Sequence, residues 1–102
     1  MDTNDLIAHS RSRFDHAAAK RTLKEKYQSK LIFAHNGGMF KASPEFITFL
    51  KSCSTNIDIV VLDLYDNPVR INVPELSRLT WNRYQEQMDA WLVEYQTLNK
   101  NR

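Results

Sequence analysis

The side chains able to do chemistry are few and widely spaced. The chain of 102 residues holds three histidines, one cysteine and twelve acidic residues. His9 and His16 are seven residues apart, so on a helix they share a face but sit about two turns from each other. A helical metal clamp needs an i, i+4 pair, so this spacing is too long. His35 stands alone downstream and Cys53 is the single thiol, so the sequence predicts no metal site and no cofactor. Asp58, Asp63 and Asp66 are close enough to weigh as acid–base partners or cation ligands. However, Asp58 and Asp63 fall on alternate faces of an extended strand, and Asp66 belongs to a turn with Asn67 and Pro68. Gly37-Gly38 has too few glycines for a phosphate loop, and no nucleophile elbow, Ser-His-Asp set or calcium loop is present. The reading is therefore no catalytic residue, no small-molecule substrate and no enzyme. A catalytic alternative would need a site completed at a subunit interface, around Asp63 and His35.

Binding is the chemistry the sequence favours. Trp81, Tyr84, Met88, Trp91, Tyr95 and Leu98 recur at alternating spacings of three and four, the a and d positions of a heptad pattern. Four of these six are aromatic, and the Trp and Tyr rings carry a polar edge that seeks a partner. The stripe either packs against the chain's own first helix or sheet, or forms a seam with another chain. Trp and Tyr suit a pocketed interface better than a two-stranded zipper, which favours Ile, Val and Leu. Arg83, Glu86, Asp89 and Glu94 flank the stripe without a regular charge code.

A second candidate surface is basic. Arg11, Arg13, Lys20, Arg21, Lys24, Lys26 and Lys30 stand against only Asp15 and Glu25 in the same stretch. From Glu45 to Tyr95 the balance reverses, with eight acids against four bases. A basic helix can bind nucleic-acid phosphates, or it can complement the acidic remainder within a chain or between copies. The basic stretch lacks the interleaved aromatics of a single-strand binder.

The elements that position these residues form one domain over 1–102. A net charge of +2, 42% hydrophobic residues and 25% charged residues are ordinary for a globular chain. A lone cysteine excludes an internal disulfide, and no apolar run approaches a membrane span. The polar start lacks the features of a signal peptide, so a soluble intracellular protein is expected. Residues from about 5 to 29 read as a helix without Gly or Pro. Its apolar positions disagree: Ile7, Phe14 and Ala18 share one face while Leu23 and Tyr27 fall nearly opposite.

The central unit, 31–73, begins with Leu31–His35, Asn36-Gly37-Gly38 and Met39–Ala42, a hairpin closed by a type I′ turn. Ser43-Pro44-Glu45 then starts a short helix carrying Phe46, Ile47, Phe49, Leu50 and Cys53. Cys53 reads as a small core hydrophobe. Ile57–Tyr65 and Val69–Val73 form a second hairpin around Asp66-Asn67-Pro68. A long helix runs from about 74 to 99. The fold class is α+β: helix, hairpin, short helix, hairpin, long helix, with a small antiparallel sheet flanked by helices.

Three stretches carry a resemblance. Lys41-Ala42-Ser43-Pro44-Glu45-Phe46-Ile47, Leu62-Asp63-Leu64-Tyr65-Asp66-Asn67-Pro68-Val69, and Met88-Asp89-Ala90-Trp91 through Glu94-Tyr95 resemble small accessory proteins of large tailed phages, the myophages. The resemblance covers about residues 11–100 and carries no site residue with it. It implies a role in virion assembly or as an accessory factor, in the host cytoplasm or in the virion. Together these readings predict a non-enzymatic interaction or assembly protein that docks through its aromatic C-terminal helix, by self-association or onto a protein partner. The alternative is an accessory factor that binds nucleic acid through its basic first helix.

Overall fold

The computed structural model describes residues 3–100, with the side chains of residue 13 and of 15–100. Its elements are α1 (Thr3–Lys30), β1 (Ile32–His35), β2 (Gly38–Lys41), α2 (Pro44–Ser52), β3 (Asp58–Leu62), β4 (Pro68–Asn72) and α3 (Val73–Lys100). The α+β order is the one the sequence predicts.

Local chemistry sets most boundaries. Asn36 and Gly37 both take positive φ, 50° and 81°, as a type I′ turn requires, and the hairpin closes with His35 opposite Gly38. The Ser43 hydroxyl accepts from the Phe46 N–H at 3.1 Å and caps α2, with Pro44 in its first turn. Asn72 caps α3 in the same way, accepting from the Glu75 N–H at 3.0 Å.

The structure departs from the sequence reading in the second hairpin. The strand expected over 57–65 stops at Leu62, because the Asp63 carboxylate takes the N–H groups of Tyr65 and Asn67, both at 2.9 Å, and folds the chain into a turn. Asp66 follows at φ 64°, a left-handed conformation that Asp tolerates. A second difference is that β1–β2 and β3–β4 are separate two-stranded sheets. They are joined by the Leu64 N–H donating to the Met39 carbonyl at 2.7 Å and the Met39 N–H donating to Asp63 Oδ2 at 3.1 Å.

The head formed by these hairpins and α2 contains the core. Leu31, Phe33, Phe40, Ala42, Leu50, Val61, Val69, Ile71, Val73 and Leu76 are buried together, with Phe46, Cys53, Ile59, Leu79 and Tyr84 packed against them. Cys53 thus sits against the core as expected. From the head, α1 and α3 run side by side and antiparallel: Lys30 meets Arg83, Tyr27 meets Trp91, and Lys26 meets Glu94. The molecule is long, 66 × 23 × 19 Å. Among the described residues no helix is long and apolar enough to cross a membrane.

Candidate partner-binding groove along the helix pair

The antiparallel pair divides the aromatic stripe of α3 between two tasks. Tyr84 packs against the head core, and Trp91 lies flat on Tyr27 of α1, with ring centroids 5.9 Å apart and planes inclined by 6°. These two positions are intramolecular. Met88, Tyr95 and Leu98 are half-buried. Trp81 is 49% exposed, with its ring tilted against Tyr84 at 6.1 Å. It lines a groove of about 470 Å³ between α2 and the start of α3, with Leu50 and Val73 among its walls.

Tyr27 is the anchor that α1 contributes. It is buried under Trp91, with the Lys26 and Lys30 ammonium groups 5.3 and 5.4 Å from its ring centroid. Lys26 also bonds Glu94 at 2.7 Å, and Arg83 donates to the Lys30 carbonyl at 3.3 Å. The hydrogen bond to Glu94 raises the Lys26 pKa, and the same bond holds the Glu94 carboxyl below its ordinary value. Burial, then the neighbouring Glu94 charge, pushes the Tyr27 phenol upward.

The basic residues therefore separate into two flanks. At 100° per residue, Lys26 and Lys30 fall on one side of the Tyr27 direction, while Arg13, Lys20, Arg21 and Lys24 fall on the other. The structure uses the first flank to clasp α3. The Arg11 side chain lies outside the described residues, as do those of Ile7 and Phe14.

On the second flank the helices leave an open groove of about 490 Å³. Trp91, Leu92 and Tyr95 of α3 supply its apolar surface, and Ala17, Lys20, Arg21 and Lys24 of α1 form the opposite wall. Ala17 lets the groove run close to the α1 backbone, and the three cations line it without an acidic side chain among them. Leu92 and Val93 are 53% and 63% exposed. Both were missed by a heptad reading, because they fall between its a and d positions. The signal was the uninterrupted run Trp91-Leu92-Val93, which is wider than one stripe.

Asp63 and His35 have other surroundings. The Asp63 carboxylate is buried and accepts three backbone N–H groups, from Asn67, Met39 and Tyr65, which hold its pKa below the usual carboxylate value. It acts as the staple between the two hairpins. The buried Nε2 of His35 has no hydrogen-bond partner among the described residues. No three His, Cys, Asp or Glu side chains among the described residues lie close enough together to hold a metal ion. Comparison of the chain with protein-family models, with curated proteins and with solved structures returns no match.

Proposed function

We propose that this chain is a non-enzymatic interaction or assembly protein whose α1–α3 groove receives an amphipathic helix with an acidic flank. The observation that supports this is the lining of the groove: aromatic and aliphatic surface from Trp91, Leu92 and Tyr95, edged by Lys20, Arg21 and Lys24. An apolar helix face would displace water from the rings, and acidic neighbours on that helix would meet the three cations. Register would come from the charges and affinity from the buried apolar surface.

The test is a photocrosslinking phenylalanine analogue placed at Leu92, with Thr48 on the exposed side of α2 as the control position. Irradiation where the protein is naturally made should give a protein adduct at Leu92 and none at Thr48. Absence of any adduct at Leu92 would overturn the reading. A nuclease-sensitive adduct would move it to the alternative, nucleic acid held by the flank of Arg13, Lys20, Arg21 and Lys24. Such binding would weaken steeply with salt.

A further inference from the structure

Two grooves lie against α3, and the same side of that helix forms the floor of both. Val73, Pro74 and Ser77 line the groove beside α2, and Trp91, Leu92 and Tyr95 line the groove beside α1. Each residue of the first set has its counterpart 18 positions later in the second: Val73 with Trp91, Pro74 with Leu92, Ser77 with Tyr95. That interval is about five turns of an α-helix, or about 27 Å of its length. Side chains separated by whole turns point in one direction, so the two grooves open on one flank of α3.

The stretch between the grooves keeps to that flank. At 100° per residue, Trp81, Gln85 and Met88 fall within about 40° of the direction shared by Pro74 and Leu92. Trp81 is exposed, and Gln85 and Met88 are half-buried. No Gly or Pro follows Pro74 in α3, so nothing turns the flank aside on the way. The floor is one largely apolar strip that runs from the head to the outer part of the helix pair.

The edge of this strip is cationic at both ends. α1 supplies Lys20, Arg21 and Lys24 beside Leu92, and α2 supplies Lys51 beside Pro74. No acidic side chain lines either groove, and these four cations make no ion pair among the described residues. On the opposite edge the exposed side of α3 carries Arg78 and Asp89, one charge of each sign. The demand for negative charge therefore falls on the edge formed by α1 and α2.

We propose that the two grooves are one docking track whose occupant is a single continuous amphipathic helix of another protein, with an acidic flank turned toward α1 and α2. The proposal rests on the α1–α3 groove being a helix receptor and adds a second anchor at the head, around Trp81 and Pro74. Spanning both grooves with a half-turn to spare at each end takes about 22 residues, whereas a helix of about three turns fills one groove only. Charge selects the occupant: a second copy's α1 is itself basic and would be repelled. Two anchors on one rigid helix make the dependence on its length steep.

The probes are synthetic peptides, each held helical by hydrocarbon staples and measured against the full chain by fluorescence anisotropy. One is a helix of about 22 residues with Leu on one face and Glu along one flank. The others are its two halves and a version with Lys in place of Glu. The long acidic peptide should bind at least about a hundredfold more tightly than either half, and the Lys version about tenfold more weakly or worse. Pro74→Glu puts a carboxylate on the floor of the head groove, at a helix start that favours acid, and should weaken the long peptide about tenfold or more. Lys51→Glu reverses the rim and should weaken it about threefold or more. Far-UV circular dichroism checks that both variants remain folded. If Leu92→Glu weakens the long peptide and neither head variant does, the track is overturned and the α1–α3 groove alone stands. If none of the three variants matters, or no peptide binds, both are overturned. A stable dimer of the chain that excludes the peptide would place a second copy in the track and overturn its assignment to another protein.

Discussion

Gly38→Ala is the substitution whose effect follows most directly from the geometry. Gly38 does not occupy the left-handed region, so its backbone would accept alanine. The space would not. A Cβ there would stand 2.7 Å from Val69 Cγ2, 3.1 Å from Phe40 Cε2 and 3.3 Å from Asp63 Cβ. Carbon atoms attract at about 3.5–4.0 Å, so the Val69 contact is about an ångström too short. Val69 is β-branched and buried, so it has little freedom to rotate away. The alternative is for the second hairpin to lift, which would stretch the Leu64–Met39 bond at 2.7 Å and the Met39–Asp63 bond at 3.1 Å.

Overpacking of this kind costs about 1–3 kcal/mol, and the reduced entropy of the unfolded alanine chain returns about 0.4–1 kcal/mol. The expected net loss is about 1–2 kcal/mol. For a domain of this size that lowers the melting temperature by about 5–15 °C. Val69→Ala removes the clashing methyl, so a double-mutant cycle by urea denaturation should show the pair less destabilised than the sum of the singles, by about 1 kcal/mol. A neutral Gly38→Ala, or strictly additive singles, would refute the claim that the two hairpins meet at this glycine.

Three further outcomes follow from the same contacts. Asp63 has a depressed pKa in the folded chain, so its contribution is present above the unfolded value of about 3.9 and is lost as pH falls through the lower folded value. The melting temperature should drop steeply below about pH 4, and Asp63→Asn should flatten that limb while lowering stability at neutral pH; parallel limbs would show that Asp63 is not the staple. Trp91→Ala should uncover Tyr27 and cost about 2 kcal/mol, below the range for a fully buried ring, with amide shifts of the hairpins unchanged. Unaltered urea stability would mean that the Tyr27–Trp91 stack does not hold the helices together. Leu92→Glu with Val93→Glu should change stability by about 0.5 kcal/mol or less per site, since both side chains are exposed, yet abolish capture in the groove. Retained capture would place the partner elsewhere.

Elements governed by nearest neighbours were legible in the residues. Asn36-Gly37 specifies its turn, Ser43-Pro44-Glu45 its helix start, and Val69–Val73 its alternation, because each signal is local. The end of β3 was not legible. Asp63 leaves the strand to serve Met39, 24 residues away, and no window along the chain contains both. The stripe on α3 was half legible for the same reason. Its spacing showed a helix with one important face, but the assignment of Trp91 to Tyr27 depends on how α1 returns beside it. The conflict between Ile7 and Phe14 on one side and Tyr27 on the other resolves only at Tyr27, whose face meets α3.

The distribution of burial along α3 connects stability to the proposed groove. Its fully buried residues, Val73, Leu76 and Thr80, all lie within the first turns, and Val73 and Leu76 belong to the core of the head. Beyond Thr80, the described side chains facing α1 are at most half-buried, and the contacts that join the pair there are the Tyr27–Trp91 stack, the exposed Lys26–Glu94 ion pair and the Arg83 hydrogen bond to the Lys30 carbonyl. Helices of this length owe most of their stability in water to tertiary packing. Local opening should therefore become easier from Thr80 toward Lys100. Native-state hydrogen exchange measures this directly: amides near Leu76–Tyr84 should exchange through global unfolding, and those from Tyr95 onward through local fraying. A helix laid in the groove would cover Leu92 and Tyr95, and any partner that binds only the paired helices would stabilise them by mass action. The gradient should then flatten. Protection uniform to the end of α3 in the isolated chain would mean that the helix pair is already complete, and the groove would lose its reason to be filled.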